Sequence, residues 1–147
     1  MKKLIMTLIM MAMFVATFVQ GEEGHSHSHG HAKIKASHGG RILDVGKAAH
    51  LEYVHDAKTG KITIYVLDGE GTKALGLADA IRINVSTGKV QVVMSALNLK
   101  DGKSSTFEAQ NDVLKNEHLE GKLSIKIDDK KYSVAIPHDH AHGGHSH

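Results

Sequence analysis

The sequence predicts a mainly β fold: a small antiparallel β-sandwich with one short helix, flanked by two flexible histidine-rich segments. Three observations lead to this prediction. Residues 38–137 alternate branched aliphatic and polar side chains, the pattern of strands that bury one face. Glycines and aspartates interrupt the alternation at intervals, as hairpin turns require. The 13 histidines of the 147-residue chain concentrate in two stretches, 25–38 and 138–147.

The first 21 residues have the three parts of a secretory signal. Lys2 and Lys3 form a basic start, residues 4–19 are apolar, and Gly21 ends a cleavage motif before Glu22. An uncleaved membrane anchor is the alternative, but the apolar run is shorter than the ~20 residues that a spanning helix needs. We therefore expect an extracytoplasmic protein, periplasmic or secreted, without stable membrane insertion after cleavage.

Four segments of residues 38–137 alternate clearly enough to be predicted as strands, and three others do so more weakly. The clear segments are 61–66, 81–85, 122–127 and 131–136, and the weaker ones are 41–45, 49–55 and 90–95. Turn signals at Gly60, Gly88 and Asp128-Asp129 separate neighbouring strands. A short helix is predicted over 113–118, because Asn111 or Asp112 can cap it and Gly121 follows its end. Seven to nine strands and one helix fit one sandwich domain.

Charge and sulfur content exclude several classes of function. Once Lys2 and Lys3 are removed with the signal, basic and acidic residues balance, so no electrostatic surface for nucleic acid is expected. The chain has no cysteine, which rules out disulfides, thiolate zinc sites and a cysteine nucleophile. Met94 is the one methionine beyond the signal. The remaining ligand types, imidazole and carboxylate, favour Zn²⁺, Cu²⁺, Ni²⁺ or Co²⁺ over Cu⁺.

The N-terminal histidine segment, residues 22–37, places imidazoles at alternate positions in a stretch of glycine and serine. Its candidate metal ligands are His25, His27, His29 and His31. A chain with so few apolar residues is expected to be disordered without metal, and it can fold several imidazoles around one ion. The alternative is a low-complexity spacer whose affinity for metal is incidental.

The C-terminal histidine segment, residues 138–147, follows Pro137 and repeats this alternation with an added carboxylate. Its candidate metal ligands are His138, Asp139, His140, His142, His145 and His147. We expect this segment to be disordered as well. If the first and last strands end on the same side of the sandwich, the two segments can share an ion.

The histidines between the segments give weaker signals. His38 precedes two glycines at the start of the domain and is a further candidate metal ligand. His50 and Glu52 share one face of a strand, so a folded site with His38 is conceivable, although a histidine on a polar face is more often simply exposed. His55 lies on the opposite face, and we interpret His118 as structural because it ends the expected helix.

Two stretches of the chain resemble known proteins. The phrases HGGRILDVGKAAHLEYVHDAKTGKITIYVLDGEGTKAL and GKLSIKIDDKKYSVAIPHDHAHGGH resemble a group of small exported bacterial proteins that are common in planctomycetes and whose function is not established. The opening His-Gly-Gly segment also resembles a short β region in periplasmic adaptor subunits of heavy-metal efflux pumps. The resemblance implies an envelope location and metal handling, and it implies no reaction.

The sequence therefore predicts a non-enzymatic protein that binds or buffers divalent transition-metal ions outside the cytoplasm. A heavy-metal efflux or uptake system is the expected partner. The alternative is an envelope protein–protein interaction module whose metal affinity is incidental. An enzyme is not expected, because the sequence contains no H-E-x-x-H, no G-x-S-x-G and no phosphate-binding glycine loop.

Overall fold

A computed structural model describes residues 34–137, and these form two antiparallel β-sheets. Strands account for 53% of the structure and helical turns for 6%, which confirms the predicted mainly β class. The strands are β1 (Arg41–Val45), β2 (Ala49–Asp56), β3 (Lys61–Asp68), β4 (Arg82–Val85), β5 (Val90–Val93), β6 (Ser95–Leu97), β7 (Thr106–Gln110), β8 (Gly121–Ile127) and β9 (Lys130–Ala135).

The two sheets enclose one hydrophobic core. The first sheet has the order β1-β2-β3-β7-β6 and the second has the order β5-β4-β8-β9. Alternate residues of the central strands supply the core, as the period of two predicts. The most deeply buried of these side chains include Leu51, Ile62, Ile64, Phe107, Ile83 and Leu123. Burying each one contributes about 1.5–3 kcal/mol to folding.

The expected helix is a single 3₁₀ turn, Asp112–Leu114. Its predicted cap is present, because the Asn111 side chain accepts a hydrogen bond from the backbone N–H of Val113 at 3.1 Å. The helix does not continue, since the Asn116 side chain accepts from the backbone N–H of His118 at 2.9 Å and holds a different local turn. Among residues 34–137, no helix is long and apolar enough to cross a membrane.

The segment predicted as a strand over 90–95 divides between the two sheets. Strand β5 ends at Val93, and β6 begins at Ser95 in the other sheet. Met94 lies between them, 1% exposed, and its backbone N–H donates to the carbonyl of Ile81 at 2.9 Å. The buried thioether therefore marks the point at which the chain crosses from one sheet to the other.

The first and last strands of the domain lie in contact at one end of the sandwich. Strand β1 is an edge strand of the first sheet, and β9 is an edge strand of the second. After β9, Ile136 stays buried, and its backbone N–H donates to the carbonyl of Gly121 at 3.0 Å. The start of β1 and the residues after β9 are therefore neighbours.

Candidate metal site

Of the predicted metal ligands, His38 lies within the described residues. The predicted signal and the other candidate ligands, His25, His27, His29, His31, His138, Asp139, His140, His142, His145 and His147, lie outside residues 34–137. The described chain begins four residues upstream of the expected domain boundary, and its first residue, Ile34, lies against Gly71 after β3. The segment from Ile34 to Gly40 thus leads onto the first sheet.

Glu52 organises this segment. It lies in the middle of β2 and points away from the sandwich core, yet it is only 2% exposed. Its carboxylate accepts hydrogen bonds from the backbone N–H groups of Ser37 (3.0 Å), His38 (2.5 Å) and Gly40 (3.2 Å). It also lies 2.8 Å from His38 Nδ1. The buried carboxylate fixes the backbone of three residues and one imidazole at once.

These hydrogen bonds keep Glu52 ionised. Burial by itself raises the pKa of the Glu52 carboxyl, but the hydrogen bonds from the His38 side chain and from the three backbone N–H groups outweigh burial and lower the pKa. An ionised carboxylate can only accept, so His38 Nδ1 carries the proton of this hydrogen bond. In neutral His38 the free lone pair is therefore on Nε2. The His38 side chain is 46% exposed.

Tyr65 fixes the plane of the His38 ring. It lies in β3 directly opposite Glu52 in the strand register. The two rings are stacked, with centroids 3.6 Å apart and planes within 5° of parallel. The imidazole is thus held at its edge by Glu52 and on its face by Tyr65, and few rotamers remain open to it.

The two glycines after His38 are needed for this geometry. Gly39 has φ +77°, a left-handed conformation that side-chain-bearing residues rarely adopt. At Gly40 a Cβ would overlap the carbonyl oxygen of Tyr53 and would approach Val54 Cγ2 to 2.8 Å. The His-Gly-Gly motif therefore turns the chain so that the His38 ring lies over the sheet while Gly40 packs closely against β2.

His50 does not join His38 and Glu52. Its Nδ1 lies 2.8 Å from Asp44 Oδ1, and its Nε2 lies 3.1 Å from the carbonyl oxygen of Gly69. Each ring nitrogen therefore faces an oxygen atom at hydrogen-bond distance, and neither is directed at open space where a metal could bind. Within residues 34–137 no three metal-ligating side chains come together. The conceivable three-residue site of His38, His50 and Glu52 is therefore absent from the described domain.

The other two histidines lie at the end of the sandwich where β1 and β9 meet. His55 is on the opposite face of β2 from His50, and its Nε2 donates to the carbonyl of Leu114 at 2.7 Å. His118 is exposed and follows the 3₁₀ turn instead of ending a helix. With Nε2 donating, a neutral His55 ring has its lone pair on Nδ1.

A cavity of about 440 Å³ lies at this end of the sandwich. Gly39 and Gly40, which follow the N-terminal histidine segment, line one side of it. Ile136 and Pro137, which precede the C-terminal histidine segment, line another side. His118 also borders the cavity. Residues 39–40 and 136–137 therefore lie together at this end of the sandwich, whereas the chain upstream of Gly39 crosses the first sheet to Ile34, beside Gly71 at the other end of β2.

The residues that position His38 were only partly visible in the sequence. The spacing of His50 and Glu52 pointed to a shared face, but the pairing of Glu52 with a histidine 14 residues earlier depends on the chain folding back over β2. Tyr65 belongs to the strand predicted over 61–66, and its role appears once the register places it opposite Glu52. Comparisons with protein-family models, curated proteins and solved structures find no match.

Proposed function

We propose that this protein binds divalent transition-metal ions outside the cytoplasm, with the two histidine segments supplying most of the ligands. The observation that carries the proposal is the concentration of histidines in residues 25–38 and 138–147, on either side of a folded β domain. The sandwich is then a stable carrier to which two sets of imidazoles are joined, and the ions are cargo to be stored or passed on to a transport system.

Joining both histidine segments to one domain has a direct effect on affinity for metal. His138 follows Pro137 immediately, and His31 precedes Ile34 by three residues. Tethering two ligand sets to one scaffold makes the second binding step intramolecular, with an effective concentration in the millimolar range for short linkers.

The types of ligand in this chain favour metal ions of intermediate softness. Imidazole nitrogen with an occasional carboxylate suits Zn²⁺, Cu²⁺, Ni²⁺ and Co²⁺, and the chain has no thiolate to favour Cu⁺. A storage function also fits better than catalysis, because catalysis by a bound metal needs a rigid site with an open coordination position. The described domain brings no three ligating side chains together to build such a site.

Calorimetric titration with Zn²⁺ tests this proposal on the chain that starts at Glu22. Three variants carry serine in place of the histidines of the N-terminal segment, of the C-terminal segment, or of both. A shared ion predicts that either single-segment variant binds its tightest Zn²⁺ at least tenfold more weakly, and that the double variant loses tight binding. As a control, His50→Asn changes a histidine of β2 whose two ring nitrogens already face oxygen atoms, and it should leave the titration unchanged.

Three other outcomes would count against the proposal or against part of it. Unchanged stoichiometry and affinity in the double variant would overturn the proposal. If each single-segment variant instead lost a separate share of the ions and left the rest at full affinity, the segments would be independent. A protein partner that stays bound after a chelator has removed all metal would favour the alternative, an envelope interaction module.

A further inference from the structure

We propose that the outer face of the second sheet binds an anionic polysaccharide. Side chains of β4, β8 and β9 that point away from the core form this surface. We call it the basic face after its four cations, Arg82, Lys122, Lys126 and Lys131. The inference is independent of the metal-binding proposal, because the four strands of this sheet contain no histidine.

Acidic and basic residues are distributed unequally between the two sheets. The strands of the second sheet contain five basic residues and no aspartate or glutamate. The strands of the first sheet contain two basic residues and five acidic ones. The formal charge of the whole chain, +2, therefore hides a cationic surface on one side of the sandwich. A surface of one sign attracts ligands of the opposite sign.

The acidic residues of the first sheet are already engaged in local contacts. They are Asp44, Glu52, Asp56, Asp68 and Glu108. Asp44 Oδ1 lies 2.8 Å from His50 Nδ1, and Glu108 Oε2 lies 2.7 Å from Lys61 Nζ. Glu52 accepts hydrogen bonds from residues 37–40, and the other two accept from the turns that follow their strands. The strands of a second copy therefore offer the basic face no free carboxylates.

Most of the charge on the basic face is not compensated by the protein. Lys126 has two carboxylate partners in neighbouring loops, Asp79 at 3.3 Å and Asp129 at 3.1 Å. Among residues 34–137, the other three cations of the face have no ion pair. Lys131 lies directly opposite Lys126 in the strand register, and like charges at opposed positions repel each other. An anion bound between them relieves this repulsion.

A groove of about 550 Å³ lies on this face and combines cations with hydroxyl groups. Arg82, Lys126 and Lys131 line it together with Ser124 and Ser133. The two serines are paired in the register of β8 and β9, and Arg82 pairs with Ser124 from the other side. The Asn84 side chain donates to Ser124 Oγ at 2.8 Å, so the Ser124 O–H group can itself donate to a ligand. The groove thus suits a ligand that carries both negative charges and hydroxyl groups.

The spacing of the cations favours an extended ligand. Lys122 and Lys126 are four residues apart on β8, a distance of about 13 Å along the strand. A single phosphate or sulfate ion is too small to contact both side chains. A linear chain with negative charges repeated along it can contact Lys122, Arg82 and the Lys126–Lys131 pair at once.

Other extended or flat anions fit the face less well. Single-stranded nucleic acid is held by stacking on aromatic side chains. The one aromatic residue in the strands of this sheet, Tyr132, lies on the inward side opposite the buried Ile125. Bilayer surfaces and protein partners need exposed apolar side chains. Val93 is the one large apolar side chain that these strands expose.

Calorimetric titration with dextran sulfate, and with unmodified dextran of the same length, tests this inference on the chain that starts at Glu22. A chelator removes metal, and at about pH 8 the histidines are neutral and add no positive charge. The test variant combines Arg82→Gln and Lys131→Gln. The control variant combines Lys58→Gln and Lys73→Gln, which remove two exposed positive charges from loops of the first sheet. Circular dichroism verifies the fold of both.

Dextran sulfate should bind wild type, and unmodified dextran should not, because it has the same sugar chain without the charges. The test variant should bind dextran sulfate at least about tenfold more weakly, since it loses two charge-assisted contacts. The control variant should change the affinity by less than about twofold, because packed sheets are about 10 Å apart and salt screens charges beyond about 8 Å. Backbone ¹H–¹⁵N NMR shifts on binding should cluster in β4, β8 and β9.

Several results would overturn this inference. Equal affinity of wild type and the test variant, or NMR shifts confined to other strands, would show that the basic face is not the binding surface. Equal binding of unmodified dextran would show that charge is not recognised. Duplex DNA or anionic phospholipid vesicles binding as tightly as dextran sulfate would refute the assignment to a polysaccharide. If the test variant fails to fold, Lys122→Gln and the wild-type NMR shifts decide the result. Because metal is absent throughout, none of these results bears on the metal-binding proposal.

Discussion

The carboxylate of Glu52 and the imidazole of His38 form a hydrogen bond of 2.8 Å between a buried residue of β2 and the segment that crosses it. Removing a carboxylate from water is costly unless it is well paired. Here one side chain and three backbone N–H groups compensate for the loss of hydration. The arrangement orders a short segment that has little apolar surface, and it leaves one imidazole nitrogen directed outwards.

Glu52→Gln should destabilise the domain by about 1.5–3 kcal/mol, the usual contribution of hydrogen bonds to a charged group. The amide keeps one oxygen for the backbone donors but meets His38 Nδ1 with an N–H group. Urea unfolding followed by circular dichroism measures this loss. Glu108→Gln removes a partly exposed partner of Lys61 from the same sheet and should cost less than about 1 kcal/mol. Equal losses in the two variants would contradict the role given to Glu52.

The stability of the metal-free domain should fall in acid because of Glu52. Its folded-state pKa is lowered by its four hydrogen bonds, whereas in the unfolded chain the carboxyl titrates near its ordinary value of about 4.3. The ionised form therefore stabilises the fold above that value, and the contribution disappears as the pH falls through the lower folded-state pKa. Urea unfolding between pH 6 and pH 3 should show a steeper decline for wild type than for Glu52→Gln, and parallel curves would contradict this.

Gly40→Ala should be more damaging than Gly39→Ala. A methyl group at Gly40 meets the backbone of Tyr53, which cannot move without disturbing β2, whereas at Gly39 nothing lies within 4 Å and the cost is that of φ +77° alone. We expect about 1–2 kcal/mol at Gly39 and a larger loss at Gly40. Thermal unfolding compares the two variants, and a smaller loss at Gly40 would show that the close approach to β2 is unimportant.

Tyr65→Leu should free the His38 ring, and Tyr65→Phe should not. Stacking at 3.6 Å places the His38 ring protons above an aromatic face, which shifts their NMR signals upfield. Phenylalanine retains that face, whereas leucine removes it together with about 0.5–1.5 kcal/mol of aromatic contact. Proton NMR of the His38 ring reports the change. Identical shifts in both variants would mean that the stack does not persist in solution.

Much of the fold follows from local patterns in the sequence. Residues 41–45 and 61–66 are recognisable as strands because apolar and polar side chains alternate along them, and the apolar side chains indicate the buried face. Strand β7 was not predicted, since it contributes only Phe107 and Ala109 to the core, an alternation too short to stand out in the sequence. The helix was predicted too long, because Asn116 offers the backbone a competing hydrogen bond that periodicity does not reveal.

The site was less predictable than the fold. His38 and Glu52 were each noticed in the sequence, but nothing local shows that one buried carboxylate gathers three backbone N–H groups and a ring. Such contacts depend on where residues 34–40 run over the sheet, and that path depends on Gly39 and Gly40. Similarly, the meeting of the residues before β1 with those after β9 is a property of strand order, which alternation does not encode.

X-ray absorption at the zinc edge, on wild-type chain loaded with one Zn²⁺ and desalted, tests the central claim most directly. The account predicts nitrogen or oxygen ligands at about 2.0–2.1 Å from the zinc. The spectrum should also contain the multiple-scattering signal that several imidazole rings produce. An oxygen-only shell without imidazole scattering, or no zinc retained after desalting, would contradict the assignment of this protein as a histidine-based metal binder.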